Sequence, residues 1–332
     1  MALKTRRVRL ARKPQNAIEV SDFLIEQIVL EELKDGQLLL RPLYLSLDPY
    51  LLSFMRDWSG PQRDWSDGII VGRAISQVVA SQAQGFAEGD LVIGDCHWQD
   101  LDVRPAKAMR QLESSLLSPS LQLGVLGASG ITAWAGVTDV LEPKAGQTLV
   151  ISAASGPVGS VAGQLAKAAG ARVVGIAGGV EKCRYVVEQF GFDACVDHRQ
   201  ADFPAALAAA LPDGADLHFE SVGAATLDPV LPLMNKFGCI ALCGLMQHYQ
   251  DRDPVTLSNF RSLLYGALQL QSFHLADYGK RFSEATEVLS GLLEQGQLRY
   301  SEVISEGLEQ APAAYVAMTR GQGIGKHLVH LG

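Results

Sequence analysis

Features that membrane, secreted and nucleic-acid-binding proteins usually have are scarce in this chain of 332 residues. No stretch approaches the eighteen consecutive apolar residues that a membrane-spanning helix needs, so we expect no membrane partner. The five cysteines (Cys96, Cys183, Cys195, Cys239 and Cys243) form no C-x-x-C pair, which favours a reducing, cytoplasmic location over a disulfide framework. A net charge of −8 argues against nucleic acid as the main partner.

Two of the cysteines, Cys239 and Cys243, have a spacing that zinc sites also use. However, the three apolar residues between them, 240–242, indicate a buried strand, and no second pair of ligands lies nearby in the sequence. We therefore expect structural cysteines and no metal site.

The chain changes character along its length. Residues 1–120 hold short candidate strands (8–10, 23–29, 37–44, 69–79 and 91–94) punctuated by Pro, Gly and Asp, which is typical of a small barrel or sandwich. Residues 121–296 alternate between apolar strands (149–151, 172–177, 194–197, 217–220, 239–243 and 268–273) and helical segments (181–190, 203–211, 225–234, 257–265 and 281–295). This order predicts an α/β fold with a doubly wound parallel sheet, and residues 297–332 are expected to rejoin the first domain.

The first strand of the α/β domain leads into a run of small residues and then a helix. Ala154, Gly156 and Gly159 occupy the glycine positions of the G-x-G-x-x-G fingerprint, in which backbone N–H groups and a helix N-terminus bind a diphosphate. Pro157 is expected in the first helical turn. We predict that the loop residues Ser155, Gly156, Pro157, Val158 and Gly159 bind a dinucleotide. The alternative is a small-residue turn that binds no ligand.

The strand that follows this loop and helix predicts which dinucleotide the protein binds. An NAD site usually has an acidic residue at the end of this strand, but here the strand ends in Gly178-Gly179. Lys182 and Arg184 follow, where a cation can meet the ribose phosphate of NADP. Alone, either side chain could simply belong to a solvated helix face; together with the missing acid they predict NADP(H) as the cofactor.

Six motifs resemble those of zinc-independent medium-chain dehydrogenases/reductases. They are AASGPVGS at 153–160, GGVEK at 178–182, GCIALCG at 238–244, LSLDPY at 45–50, LGASGITAW at 126–134 and GK at 325–326. The last three are similar to the branch of prostaglandin reductases and alkenal/enone double-bond reductases. The resemblance implies a GroES-like β domain built from both chain ends, a Rossmann domain between them, NADPH as hydride donor and a homodimer. The chain lacks the Gly-His-Glu zinc signature of zinc alcohol dehydrogenases.

The resemblance also assigns further cofactor-binding residues. The matched positions are Gly178, Lys182, His198, Ser221, Cys243, Gly244, Phe273, Leu275 and Gly323. Three of them stand where the sequence departs from the family pattern. His198 replaces a tyrosine, Ser221 lies in FESVG where FDNVG is common, and Gly323 replaces an asparagine. His198 could stack beside the adenosine phosphate, or its charge could couple cofactor affinity to pH.

The chemistry that the resemblance implies is hydride transfer to the β-carbon of an α,β-unsaturated aldehyde or ketone. Negative charge then develops on the carbonyl oxygen, which calls for a neutral hydrogen-bond donor. Tyr249 is the expected donor. Tyr50 is expected as a wall of the substrate pocket or a second donor, although it could equally be a packing aromatic. Trp65, His97 and Trp98 are candidates for lining the same pocket, and for His97 a packing or surface role is the alternative.

Two other functions remain open at this point. A quinone oxidoreductase of the same superfamily would share the fold and cofactor. A non-catalytic NADPH-binding redox sensor would share only the nucleotide site.

Overall fold

The computed structural model describes residues 3–56, 67–113, 117–249 and 254–332. The chain divides into two compact units. The terminal unit contains Met1–Leu123 and Glu302–Gly332, and the central unit contains Gly124–Ser301. These boundaries fall a few residues C-terminal to those expected from the sequence.

Strands and helices follow one another along the described residues. The strands are β1 (Lys4–Leu10), β2 (Phe23–Val29), β3 (Gln37–Ser46), β4 (Val71–Ser81), β5 (Leu91–His97), β6 (Asp102–Pro105), β7 (Met109–Gln111), β8 (Thr148–Ile151), β9 (Arg172–Ala177), β10 (Ala194–Asp197), β11 (Ala215–Glu220), β12 (Met234–Leu242), β13 (Gln269–Ser272), β14 (Glu302–Glu306) and β15 (Lys326–His330). The helices are α1 (Leu51–Met55), α2 (Ala128–Ala135), α3 (Gly159–Ala168), α4 (Val180–Phe190), α5 (Phe203–Ala210), α6 (Ala224–Val230), α7 (Arg261–Tyr265), α8 (Phe282–Glu294) and α9 (Ala311–Thr319).

The central unit is built on a six-stranded parallel sheet in the order β10-β9-β8-β11-β12-β13. Every residue of β8 is buried, as expected for a strand covered on both faces. Because the strands run parallel, their carboxyl ends meet at one edge of the sheet, where open α/β sheets bind ligands. The predicted Rossmann-type fold class is confirmed.

Close packing between α3 and the residues that join α4 to β10 depends on glycine. A Cβ on Gly163 would lie 1.9 Å from the ring of Phe192, so no larger residue fits without moving one of the two. The helix begins at Gly159 with Val158 as its N-cap. Pro157 lies two residues before Gly159, in the turn that leads into the helix, where the Gly156 carbonyl already accepts a 3.0 Å helix-type hydrogen bond from the Ser160 N–H.

Two predicted helices are shorter than expected. The segment predicted at 257–265 is helical only over α7, because Asn259 is bonded through its backbone N–H to the Asp228 carboxylate and stays in a loop. The helix predicted at 225–234 ends at Val230, and Met234 already begins β12.

The terminal unit is mainly antiparallel. Its larger sheet runs β14-β15-β3-β4-β5-β7, with β6 also paired to β3, and β1 pairs with β2 in a smaller sheet. Ile75, Ile93, Leu123 and Leu328 form one of its buried clusters, so side chains from both parts of this unit share a core.

Candidate functional site

The predicted cofactor-binding segments of the central unit lie at the carboxyl edge of its sheet. Each follows one of five neighbouring strands: residues 152–159 follow β8, Gly178 follows β9, His198 follows β10, Ser221 follows β11, and Cys243 with Gly244 follows β12. The parallel topology thus gathers residues that are far apart in the sequence.

The loop after β8 is compact and built from small residues. Ala153 has a left-handed backbone (φ 48°), and its carbonyl accepts a 2.8 Å hydrogen bond from the Gly156 N–H. A Cβ on Gly159 would lie 2.6 Å from that same carbonyl oxygen, so this position requires glycine. Ser155 is buried in the loop. Such a loop leading into the N-terminus of α3 fits a diphosphate.

Asp197 fixes the backbone where the ribose end of a dinucleotide would bind. One oxygen of its carboxylate accepts hydrogen bonds from the N–H groups of Gly179 (2.7 Å) and Arg199 (2.9 Å). Burial works to raise the pKa of Asp197, but these two backbone donors hold it below its usual value. The ionised carboxylate is therefore hydrogen-bonded to two backbone N–H groups, and these bonds join the ends of β9 and β10.

Basic side chains converge around Gly178. A Cβ built there would lie 2.9 Å from both Arg199 Nε and His198 Nε2. Burial, followed by the charge of Arg199, lowers the pKa of Lys182, and the same two causes lower the pKa of His198. Mutual repulsion among basic groups is relieved by a bound anion, so these residues fit the additional phosphate of NADP(H).

Arg199 is a residue that we did not predict for this site. Its signal in the sequence is its place two residues after the end of β10, next to the predicted His198. By contrast, Arg184 turns toward Glu181 on the same helix, with 3.2 Å between the charged atoms of two exposed side chains. The expectation that Arg184 joins Lys182 at the phosphate is therefore not supported.

The predicted donor Tyr249 folds back on the end of β12. It lies in the turn Met246–Tyr249, and its hydroxyl accepts a 3.5 Å hydrogen bond from the Leu245 N–H. Burial raises the pKa of Tyr249 above its ordinary value, so the hydroxyl is protonated at neutral pH.

Ser221 and Cys243 lie together near Tyr249. Their side chains are 3.6 Å apart (Oγ to Sγ). Burial raises the pKa of Cys243 to about 11, so the thiol stays neutral. Tyr249, Ser221 and Cys243 therefore place no charge at this end of the site.

A buried carboxylate that we did not predict lies beneath these residues. Glu220, at the end of β11, is fully buried. It accepts hydrogen bonds from Ser152 Oγ (3.0 Å), the Gly223 N–H (2.9 Å) and Thr226 Oγ (2.9 Å), and lies 2.8 Å from His218 Nε2. An acid in the FESVG segment was visible in the sequence, but its burial was not.

Phe273 and Leu275 follow β13. The ring of Phe273 is buried in edge-to-face contact with Phe219 and Tyr278, so its side chain belongs to the core. Leu275 begins a short turn, Leu275–Arg281. Contact of this segment with the cofactor stays a prediction.

Tyr50 and Gly323 belong to the terminal unit. Tyr50 is 46% exposed and packs edge-on against Phe54. Two residues before Tyr50, the Asp48 carboxylate pairs with the buried ammonium of Lys326. Gly323 has φ 76°, a backbone conformation that favours glycine. The roles predicted for Tyr50 and Gly323 stay predictions.

The other aromatic candidates are corrected in part. Trp98 is fully buried and stacks with Phe23 in the core, so it cannot line a substrate pocket. The Nδ1 atom of His97 lies 2.9 Å from the Asp102 carboxylate, which supports the packing alternative. Trp65 lies outside the described residues.

The ranges that the structure describes also bear on metal binding and on membrane insertion. There, no group of three or more His, Cys, Asp or Glu side chains could hold a metal ion. No helix in those ranges has both the length and the apolar character to cross a membrane.

Comparisons with known proteins cover the whole chain. The zinc-binding dehydrogenase family matches residues 157–291, and the N-terminal domain of oxidoreductase matches residues 6–112. The chain is 39% identical to NADPH-dependent curcumin reductase from Escherichia coli (strain K12), over 99% of this chain and 97% of that protein. It is 34% identical to 2-alkenal reductase (NADP(+)-dependent) from Nicotiana tabacum, over 95% and 92% of the two chains.

A solved structure agrees with these relatives. CurA from Vibrio vulnificus in complex with NADPH is 37% identical, with a TM-score of 0.91 over 98% of this chain and 99% of that one. The predicted resemblance is thereby confirmed. The chain belongs to the zinc-independent medium-chain dehydrogenases/reductases, in the branch of prostaglandin reductases and alkenal/enone double-bond reductases.

Proposed function

We propose that this protein is an enzyme that uses NADPH to reduce the carbon–carbon double bond of α,β-unsaturated aldehydes and ketones. The observation that carries the proposal is the half-buried, protonated hydroxyl of Tyr249 at the same sheet edge as the phosphate-binding loop and the cluster of basic residues. The relatives described above are by name a curcumin reductase and a 2-alkenal reductase, which supports the same substrate class.

The cofactor-binding residues divide by the part of NADPH that each would hold. The loop 155–159 would bind the diphosphate, while Lys182, His198 and Arg199 would bind the phosphate on the ribose. Ser221, Cys243 and Gly244 would lie along the rest of the molecule. When bound, NADPH supplies the hydride that reaches the β-carbon.

Tyr249 would stabilise the charge that develops on the carbonyl oxygen of the substrate. A tyrosine suits this role because its hydroxyl stays protonated and donates to an oxygen that becomes negative. Burial strengthens such a hydrogen bond, since few water molecules compete for the donor. Tyr50, Phe273, Leu275 and Gly323 are proposed as further contacts, as the family resemblance implies.

The test is NADPH oxidation against a panel of 2-alkenals, cyclic enones and quinones. We expect Tyr249→Phe to lower kcat on alkenals and enones by about 10²–10³-fold, the usual effect of losing one such donor, with NADPH affinity unchanged. Tyr185→Phe is the matched control, because Tyr185 is also half-buried in the central unit and its ring packs edge-on against Phe190. Turnover of quinones alone would instead identify a quinone oxidoreductase, and no turnover at all would favour a cofactor-binding sensor.

We further propose a homodimer formed through β13. This strand is the edge of the central sheet, and all four of its residues are exposed. Apolar side chains lie beside it: Phe237, Leu264 and Tyr265 are each more than 70% exposed. A second copy could pair its own β13 and cover this patch. Leu264→Glu should convert a dimer to a monomer in analytical ultracentrifugation, and a monomeric parent protein would contradict the proposal.

The proposed location is the cytoplasm. All five cysteines are free thiols in the structure. Free thiols persist most readily in a reducing compartment, so their state supports this location. Fractionation of cells that express the protein from its own promoter would test it.

A further inference from the structure

A histidine–glutamate pair lies in the core of the central unit without touching its surface. His218 and Glu220 are both fully buried near the end of β11, with 2.8 Å between His218 Nε2 and a Glu220 oxygen. The Nδ1 atom of His218 lies 3.1 Å from the Val150 carbonyl oxygen on β8. Burying an acid is costly unless its hydrogen bonds are complete, so such a pair needs a reason to be retained.

Glu220 organises the loop that follows it. Its carboxylate accepts hydrogen bonds from the N–H groups of Val222 and Gly223 and from the Thr226 hydroxyl. It also accepts one from Ser152 Oγ, which in turn accepts a 2.8 Å hydrogen bond from the Ser221 N–H. The carboxylate thus fixes residues 221–223 through three consecutive backbone N–H groups, two directly and one through Ser152.

The turn that contains Tyr249, Met246–Tyr249, is hydrogen-bonded to the loop 221–223. The Met246 N–H donates to the Ser221 carbonyl (3.1 Å), and the Gln247 N–H donates to the Val222 carbonyl (2.8 Å). The Gln247 side chain accepts a 3.0 Å hydrogen bond from the Ala225 N–H. The backbone that carries Tyr249 is therefore held by the residues that Glu220 holds.

We propose that Glu220 is a positioning residue that sets the place of the Tyr249 hydroxyl through the loop 221–223. A carboxylate suits this role because one of its oxygens accepts from Ser152 Oγ and from both backbone N–H groups while the other faces His218. Its negative charge strengthens each of these hydrogen bonds, and a neutral amide lacks that charge. The proposal rests on the proposed function of Tyr249 but assigns a role to a group that cannot itself reach substrate.

The ionisation of Glu220 agrees with this role. Burial works to raise its pKa, but the hydrogen bond and charge of His218, together with the N–H groups of Gly223 and Val222, hold the pKa below its ordinary value. The group is therefore a carboxylate at neutral pH, which matches the donors directed at it.

A double-mutant cycle tests the proposal in the full-length protein. We expect Glu220→Gln to lower kcat on a 2-alkenal by about tenfold or more in the parent protein but by less than about threefold in Tyr249→Phe, because coupled residues lose their effects together. Asp216→Asn is the matched control. Asp216 lies on the same strand and accepts hydrogen bonds from the Thr148 N–H and from Asn235. Asp216→Asn should therefore change kcat by the same factor in the parent protein and in Tyr249→Phe.

A milder substitution covers the case in which Glu220→Gln does not fold. Thr226→Val removes one donor to the carboxylate and keeps the shape of the side chain, and its cycle with Tyr249→Phe should show the same coupling. Equal fold-losses in both backgrounds would overturn the positioning role while leaving enone turnover by the parent protein intact. Full activity of Tyr249→Phe alone would instead overturn the donor assignment, and the positioning role with it.

Discussion

The basic residues around Gly178 predict a strong preference for NADPH over NADH. Lys182 is partly buried beside Arg199, and burial together with that neighbouring charge lowers its pKa. A phosphate would be stabilised by both cations, whereas NADH has no group to engage them. The perturbation that isolates this effect is Lys182→Ala, which removes one positive charge and leaves the glycine loop unchanged.

The expected loss of NADPH affinity in Lys182→Ala follows from the environment of the Lys182 side chain. A hydrogen bond to a charged partner contributes about 1.5–3 kcal/mol, and partial exposure of Lys182 favours the lower part of this range. At about 1.4 kcal/mol for each factor of ten, the lower half of this range corresponds to a fall in NADPH affinity of roughly 10- to 40-fold. NADH affinity should change by less than about twofold, since the lost interaction does not exist for that cofactor.

The assay is a fluorescence or calorimetric titration of the protein with each cofactor at low salt. Arg184→Ala is the matched control, because Arg184 lies on the same helix but pairs with Glu181. We expect this control to retain parent affinity for NADPH. Equal affinities of the parent protein for NADPH and NADH would refute the reasoning, as would a loss of NADH binding as large as the loss of NADPH binding.

Three further predictions concern single residues of the central unit. Gly159→Ala should weaken NADPH binding at least about tenfold in the same titration, because its Cβ would meet the Ala153 carbonyl at 2.6 Å. Gly163→Ala should destabilise the fold by about 1–3 kcal/mol in thermal or urea unfolding, because its Cβ would overlap the Phe192 ring. Burial and neighbouring basic groups hold the pKa of His198 below its usual value, so the ring is neutral at pH 7.5 and gains charge as the pH falls. NADPH affinity relative to His198→Asn should therefore rise about two- to fivefold between pH 7.5 and pH 5.5.

The controls for these predictions separate local effects from global ones. Gly291→Ala is the matched control for both glycines, because Gly291 also lies in a helix and its new Cβ would have only Gln295 nearby, at 3.9 Å, so it adds a side chain without a clash. Because the phosphate of NADPH also titrates near pH 6, only the ratio between the parent and His198→Asn is informative. A constant ratio across pH would show that the His198 ring does not face the phosphate.

The strands of the parallel sheet were the easiest elements to predict. The predicted strands 172–177 and 194–197 coincide with β9 and β10, because buried parallel strands are short continuous apolar runs between turn residues. The segment 257–265 was harder, since its helical pattern is interrupted by a hydrogen bond from Asn259 to Asp228, 31 residues away in the chain. A contact of that kind leaves no mark on local periodicity.

Some residues of the candidate site could likewise be predicted from the sequence, and others could not. The glycine loop and Lys182 could be predicted because a phosphate site needs small residues and a nearby cation at fixed places along one βα unit. Arg199 and Glu220 were missed because their importance arises only when neighbouring strands are side by side. Trp98 was only a candidate for lining the pocket, because a tryptophan beside a loop gives no indication in the sequence of whether its ring points into the core.

The terminal unit is formed by two separate segments of the chain, and this has a consequence for the folding of the chain during its synthesis. Strand β15 lies between β14 and β3 in the sheet, and Lys326 at its start holds Asp48. Residues 124–301, in contrast, form the central unit as one continuous segment. During translation the central unit therefore has all its strands before the ribosome has made β15, and the sheet of the terminal unit is completed last. Until then residues 44–46 of β3, which pair with β15, lack their partner strand and leave backbone hydrogen-bonding groups open to aggregation with other chains.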